Sequence, residues 1–306
     1  MNAKVLPKFF LPKISLCNVL CKVFLKVLAN SLNLFFIFAQ IITEHQSTFT
    51  KNRFISDNIL VAFEALHNMQ KHIGNDDFMA IKLDMSKTYN KVEWSYLEAV
   101  MRKMGFNKQW INLMMVCVSF VSYSILLSGE PKGLITPSRG ICQGDPLLPF
   151  LFLLSTKGLH GLISQAAVPG DIRGYSLCKY SIRLTHLLFA DNSLLFCRAI
   201  DLECQKVLDI LDSYVECSRQ QINKSKTTIF FSKSTSNEQK ERIKLALGVS
   251  KIKQYEKYLG LPSLIGSRKK ANFNYINEKI WRKLQSDGPS HTDIHHELLQ
   301  TSSKPM

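Results

Sequence analysis

The stretch Thr185-His-Leu-Leu-Phe-Ala-Asp-Asn-Ser-Leu-Leu-Phe196 sets a carboxylate and a carboxamide, Asp191 and Asn192, between two apolar runs. The runs Leu187 to Phe189 and Leu194 to Phe196, parted by a short polar turn, predict a β-hairpin with polar residues at its tip. A carboxylate held beside apolar strands is costly unless a cation or a donor compensates it. Well upstream, Phe78-Met-Ala-Ile-Lys-Leu-Asp84 predicts a second apolar strand ending on an Asp. Two strand-borne carboxylates brought together form an all-oxygen site, the ligand type that hard cations such as Mg²⁺ take. Asn192 is the weak point of such a site, because an amide offers an oxygen without a charge.

The elements around these residues follow from hydrophobic spacing. Residues 14–42 carry helical apolar spacing, and a second helix is expected over 54–72 with Ser56 or Asp57 as its N-cap. After the strand at 78–84, apolar residues at 94, 97, 100, 101 and 104 predict an amphipathic helix stopped by Gly105. A short helix over 110–120 precedes a hairpin turning at Gly129-Glu-Pro-Lys-Gly133. Pro146 is placed to open the next helix, which runs to about Ala166. A helix at 201–217 faces inward through Leu202, Val207, Leu208, Leu211 and Val215. Strands at 226–231 and 255–261 bracket a helix at 238–247, and a basic helix covers 271–284. Irregular alternation of strands and helices gives an α+β class, an antiparallel sheet backed by helices.

The 306 residues suffice for one large or two ordinary domains, and 46% hydrophobic content supports a core. Lys and Arg number 39 against 24 Asp and Glu, a formal charge of +15. That balance suits a partner with a phosphate backbone. None of the eight cysteines forms a Cys-x-x-Cys pair, which excludes zinc-ribbon and thioredoxin-type readings and favours a reduced intracellular protein, nuclear or cytoplasmic, over a secreted one. The run Leu34 to Ile42 is far shorter than the roughly 20 residues of a spanning helix, so no membrane role is expected. Met1 to Lys26 is basic and apolar like a transit peptide but lacks a cleavage pattern, and is read as core. His291 and His295 near the C-terminus are spaced as ligands on a helix would be, yet no second ligand pair accompanies them, and 286–306 is expected to be a disordered tail.

Five segments stand in order: Lys82-Leu-Asp-Met-Ser-Lys-Thr-Tyr-Asn-Lys-Val-Glu-Trp94, Arg139-Gly-Ile-Cys-Gln-Gly-Asp-Pro-Leu147, Phe189-Ala-Asp-Asn192, Gln221-Ile-Asn-Lys-Ser-Lys226 and Lys257-Tyr-Leu-Gly-Leu-Pro262. This series resembles the reverse transcriptase domain of plant non-LTR (LINE-type) retrotransposons, over roughly residues 10–285. Ile14-Ser-Leu-Cys-Asn18 and Ile55-Ser-Asp-Asn-Ile-Leu60 are similar to that family between the motifs.

The resemblance implies a right-hand polymerase fold with fingers in 1–75, a palm with an inserted fingers segment in 76–262, and a truncated thumb starting in 263–285. It implies attack of a primer 3′-hydroxyl on the α-phosphate of a deoxynucleoside triphosphate, directed by an RNA template on a DNA primer. Two Mg²⁺ ions, with Mn²⁺ as a substitute, would clamp the attacking and leaving oxygens. Asp84, the backbone carbonyl of Met85, and Asp191 match the metal ligands, with Asn192 at the second catalytic Asp position. Tyr89 matches the aromatic under the sugar, and Gln143 and Gly144 match the loop at the nucleotide and template. Lys13 and Arg53 are implied at the nucleotide, Lys226 as proton donor to the leaving pyrophosphate, and Tyr258, Leu259 and Gly260 as the primer grip. The oligomeric state is left open.

Departures fall at functional and turn positions. Asn192 and Asn90 replace Asp, Pro12-Lys13 stands for Arg-Pro, Lys51-Asn52 for Pro-Gly, Arg219 for a Gly, and Leu148 for a small polar residue. No endonuclease-like segment precedes the motifs and the thumb stops after one helix, so a decayed or truncated copy with a foldable palm is expected. Two functions compete: an RNA-directed DNA polymerase impaired at Asn192, and a catalytically dead remnant that binds nucleic acid by charge. A membrane-surface role for the basic N-terminus is the weaker third.

Overall fold

In the computed structural model the described residues are 19–34, 43–48, 53–72, 74, 76–86, 89–120, 122–127, 130–141, 144–178, 183–190, 192–249, 257–258 and 261–262. The chain divides into two compact units, 1–254 and 255–306. The expected fold at the first 18 residues, the basic helix at 271–284 and the tail lie outside the described residues.

The first unit is built on one antiparallel sheet. Its central strand β1 (Phe78–Ser86) pairs on one side with β7 (Asn192–Arg198) and on the other with β8 (Gln221–Ile222) and β9 (Thr228–Phe231). Strand β6 (His186–Phe189) closes a hairpin onto β7, with Phe189 opposite Asn192. Asn192 is the first residue of β7 rather than part of the tip, and Ala190, just after β6, adopts φ 49°. Strand β1 continues two residues past Asp84 instead of ending on it.

Side chains alternate across a strand, and β1 shows what that does. Met79, Ile81, Leu83 and Met85 enter a core with Leu195 and Cys197 of β7 and the helices behind the sheet. Ala80, Lys82 and Asp84 take the other face, opposite Phe196, Leu194 and Asn192. The helices of the core are α5 (Leu148–Ala167) and α6 (Asp201–Ser218), with α7 (Asn237–Leu247) against α6. A second core joins α1 (Val19–Leu34), α3 (Trp94–Lys103), α4 (Lys108–Ser119) and the first turns of α5. Helix α2 (Ile55–Lys71) packs on β6 and β9. Small hairpins β2 (Tyr123–Leu127) with β3 (Glu130–Ile135), and β4 (Tyr175–Ser176) with β5 (Arg183–Leu184), complete the unit. In the second unit, β10 (Lys257–Tyr258) pairs with β11 (Leu261–Pro262), two short strands where one was expected over 255–261. Among the described residues, no helix is long and apolar enough to cross a membrane.

Several local expectations give way to tertiary structure. The N-cap of α2 is Phe54; Asp57 is its N3 residue, whose carboxylate accepts from the Phe54 N–H at 2.9 Å. Half a capping box therefore starts the helix without a capping hydroxyl. Helix α5 starts two residues later than Pro146 suggests, with Pro149 in its first turn and Asp145 accepting from the Leu147 N–H at 2.8 Å. Strand β3 already begins at Glu130, opposite Leu127, so Pro131 and Gly133 lie inside it rather than in a turn. Strand β9 starts at Thr228, leaving Lys226 in the preceding turn.

On α6, Leu202 is 76% exposed while Glu203 is 1% exposed. Glu203 accepts from the Arg198 N–H at 2.8 Å and the Arg173 N–H at 3.2 Å, and pairs with the Arg198 guanidinium at 2.5 Å. A charge so deep is tolerated because these donors compensate it. The same helix ends on Arg219 at φ 57°, a left-handed position that normally takes glycine.

Candidate active site

Asp84 and Asn192 are cross-strand partners in β1 and β7. Directly opposed residues share a face with Cβ atoms about 4.5–5.5 Å apart, so the carboxylate and the carboxamide stand side by side on the face opposite the core of α5 and α6. Asp84 keeps 22% of its side chain exposed, half-buried and still reachable. Asp191, bonded to Asn192, lies outside the described residues.

Lys226 reaches the same place from the other flank of β1. The Asn223 N–H donates to the Asp84 carbonyl at 2.8 Å, which ties the following turn to the strand. The Lys226 and Thr227 N–H groups both donate to the Asn223 carbonyl, closing that turn. Its ammonium thereby comes to 4.0 Å from Asp84 Oδ1, with 67% of the lysine side chain exposed. A contact so long and wet is weak as an ion pair; its significance is that an exposed cation stands at the carboxylate.

The segment carrying Tyr89 is fastened to the Arg139–Leu147 loop. The Ile141 N–H donates to the Tyr89 carbonyl at 2.7 Å and the Gly140 N–H to the Val92 carbonyl at 2.8 Å. The Trp94 indole donates to the Gly140 carbonyl at 2.8 Å, and Arg139 meets Glu93 at 3.4 Å. Tyr89 is half-buried, its ring edge-on to Phe152 at 4.9 Å between centroids. Gly140 is the residue on which this junction turns. It sits at φ 88°, and a Cβ there would lie 2.6 Å from the Asn90 carbonyl oxygen. The second motif glycine, Gly144, also has positive φ, at 97°, but faces open space. The close approach of chain to chain in this loop belongs to Gly140.

Of the remaining residues singled out from sequence, Arg53 is described and its guanidinium is directed at backbone. It donates to the Thr43 and Gln46 carbonyls, the latter at 2.6 Å, holding the 43–48 segment. Met85 pairs with Ile222 of β8 in the register that brings the Lys226 turn to β1. Lys13, Gln143, Leu259 and Gly260 lie outside the described residues, and Tyr258 is described only as a strand residue of the second unit. The structure thus brings together Asp84, Asn192 and Lys226, and separately fastens the Tyr89 segment to the Gly140 loop. Asp145, at the end of that loop, has its carboxyl pushed up by burial, partly offset by the Leu147 N–H.

The family profile described as reverse transcriptase (RNA-dependent DNA polymerase) matches residues 7–263. The chain belongs to the reverse transcriptase family. An uncharacterized mitochondrial protein of Arabidopsis thaliana is 48% identical over 68 residues, 22% of this chain and 56% of that protein. The transposon TX1 uncharacterized 149 kDa protein of Xenopus laevis is 24% identical over 205 residues, 65% of this chain and 15% of that protein. The reverse transcriptase chain therefore spans less than two thirds of each of these relatives. Among solved structures, telomerase from Candida albicans in complex with a fragment of telomeric RNA aligns at TM-score 0.48 and 12% identity, covering 79% of this chain and 36% of that one. Apo telomerase from Candida tropicalis, truncated from its C-terminal domain, aligns at TM-score 0.46 and 14% identity, covering 79% and 43%. The α+β class and the antiparallel sheet backed by helices agree with the sequence reading of this reverse transcriptase domain.

Proposed function

We propose that this reverse transcriptase domain derives from a plant non-LTR (LINE-type) retroelement and that Asn192 attenuates its RNA-templated DNA synthesis. The register that sets Asp84 opposite Asn192 carries this reading. In it, residues 1–75 serve as fingers, 76–262 as palm and 263–285 as the start of a thumb. Its partners are an RNA template, a DNA primer and deoxynucleoside triphosphates, and its compartment is the nucleus or cytoplasm.

The residues at the site suit a hard divalent cation. Asp84 offers carboxylate oxygens on a partly open face, Met85 follows it with a backbone carbonyl, and Asn192 offers an amide oxygen beside it. Asp84, Met85 and Asp191 would hold the ions, Mg²⁺ or Mn²⁺. When bound, they supply Lewis acidity at the α-phosphate and lower the pKa of the primer 3′-hydroxyl. Asp84 concentrates negative charge where the cations and triphosphate meet. Lys226, exposed and 4.0 Å from Asp84, would donate a proton to the departing pyrophosphate. Tyr89, fixed through its carbonyl and Phe152, would support the sugar of the incoming nucleotide. Asn192 keeps the shape of Asp but removes one charge from the place where charge does most of the catalysis.

The test is primer extension on an RNA template with Mg²⁺, comparing wild type, Asn192→Asp and Asp84→Asn. Loss of one preorganised charge-stabilising group costs about a hundredfold to a thousandfold. The expected order is Asn192→Asp well above wild type, with Asp84→Asn inactive. Equal rates for wild type and Asn192→Asp overturn the attenuation. A second reading, a nucleic-acid-binding remnant, is favoured by the same Asn192, and binding by every variant with extension by none would establish it.

A further inference from the structure

On the opposite side of the sheet from Asp84, three histidines from distant parts of the chain meet. His186 opens β6, His160 lies on α5, and His45 sits in a turn whose carbonyl accepts from the Leu188 N–H at 2.7 Å. One ligand-capable atom from each ring lies within 4.8 Å of the others. His160 Nδ1 and His186 Nε2 face each other at 2.8 Å. The far nitrogens of these two rings each meet a hydroxyl: His186 Nδ1 is 2.8 Å from Thr185 Oγ1, and His160 Nε2 is 3.3 Å from Ser164 Oγ. His45 Nδ1 is buried without a hydrogen-bond partner. None of the three residues has a place in the polymerase chemistry.

We propose that His45, His160 and His186 form a site for a divalent ion of the zinc class, pinning the 43–48 turn to α5 and β6. Three imidazoles are a recurrent ligand set for such ions, and here two of the rings, His160 and His186, have their far nitrogens oriented by hydroxyls. Nitrogen donors favour a borderline cation over Mg²⁺, so this site does not compete for the polymerase metals. In the ion-free protein one proton lies between His160 Nδ1 and His186 Nε2. Binding moves that proton to the far nitrogen of the same ring, where a hydroxyl oxygen accepts it, and all three rings stay neutral.

The geometry is within reach of coordination. Tetrahedral ligands at Zn–N of about 2.0–2.1 Å stand about 3.3 Å apart. The His160–His186 pair must open slightly, and His45 must tilt out of its stack on His186, where the ring centroids are 4.4 Å apart. A small cavity lined by Thr43, Gln46, Thr156, Lys157 and His160 borders the cluster and leaves room for a fourth ligand such as water. Burial holds all three imidazoles below their ordinary pKa, His160 at about 4 with help from the Lys157 charge, so their lone pairs are available at neutral pH. The charges facing the cluster are Lys157 on α5, Arg53 at the start of α2, and Glu44 in the turn. The two cations oppose metal binding.

Equilibrium dialysis of the full chain against Zn²⁺, with Co²⁺ as spectroscopic probe, tests the proposal. One ion per chain is expected. Loss of an outer-sphere partner costs about ten- to a hundredfold in metal affinity, so Thr185→Val should weaken binding by about tenfold and His160→Ala by more than a hundredfold. Lys157→Gln should tighten it. Alanine at His291, His295 and His296 together should leave it unchanged. A folded wild-type chain that takes up no stoichiometric Zn²⁺ overturns the site, as does a loss of binding in the tail variant with none in His160→Ala. If His160→Ala does not fold, wild type decides alone: a tetrahedral Co²⁺ spectrum without a thiolate charge-transfer band supports histidine ligation, and such a band assigns the ion to cysteine and overturns it.

Discussion

Replacing Asn192 by Asp has a consequence for stability that is separable from catalysis. The substitution sets a second carboxylate directly opposite Asp84. At a separation of about 5 Å, two unit charges repel by ~0.8 kcal/mol at a dielectric of 80 and by ~3.3 kcal/mol at 20. Asp84 is half-buried, with 22% exposure, and Lys226 stands 4.0 Å away to offset part of the repulsion. The expected penalty in metal-free protein is therefore about 1–2 kcal/mol, a fall in Tm of roughly 2–8 °C. Mg²⁺ reverses the sign. An ion that binds only the folded state stabilises it by ~2.7 kcal/mol at a hundred times its Kd, so Asn192→Asp should melt below wild type in EDTA and above it in saturating Mg²⁺. Asn192→Ala separates charge from side-chain loss and should show no added Mg²⁺ response. Thermal melts followed by circular dichroism in both buffers read the crossing directly. If Asn192→Asp melts with wild type in EDTA and gains nothing from Mg²⁺, the two side chains do not share a cation site and the register argument fails.

Arg219→Gly should stabilise the chain by about 1 kcal/mol, because glycine relieves the left-handed strain at the end of α6; urea denaturation should show a higher midpoint with an unchanged slope. Gly140→Ala should destabilise by more than ~2 kcal/mol, since the new Cβ meets the Asn90 carbonyl, whereas Gly144→Ala should cost only about 1 kcal/mol; equal losses would contradict the close packing. Glu203→Ala should cost about 3–5 kcal/mol by leaving buried donors and the Arg198 guanidinium unpaired, with Glu203→Gln recovering part of it. Binding to primer–template should weaken linearly in log affinity against log salt, as expected of a chain with net charge +15; salt-independent binding in a titration would argue against a phosphate-backbone partner.

What could be read from the sequence was what local pattern encodes. The alternation in Phe78–Asp84 and the paired runs around Asp191 specify strands, and the helices were found within a few residues because their apolar faces repeat at helical spacing. Motif order brought Asp84, Asn192 and Lys226 to one place, although nothing local in 221–226 says that its turn hangs on the Asp84 carbonyl. Boundaries failed where tertiary contacts decide them, as at Phe54, Pro149 and Pro131. Leu202, expected to face inward, is exposed, while its neighbour Glu203 is buried because Arg198, on a strand, supplies the compensation that makes a buried glutamate tolerable. Gly140 gave one local signal, its place before Ile141 in a turn-rich loop, but its neighbour Asn90 is distant in sequence. His45, His160 and His186 carried no common motif, and only the approach of the turn, α5 and β6 makes them a group.

The pleat of β1 divides labour between neighbouring residues. Met79, Ile81, Leu83 and Met85 hold the sheet to its helices, while Lys82 and Asp84 take the other face. Across the register, Asn192 belongs to the second set. Two histories can thus be written on one strand without interfering. A lineage released from the need to polymerise can change the half-buried positions 82, 84 and 192 and still translate into a chain that collapses correctly and keeps its basic surface. Folding selection guards the odd positions of β1 together with buried Phe78 and Ala80, and falls lightly on half-buried Lys82 and Asp84 and on Asn192, so foldedness in such a protein is no witness to its activity.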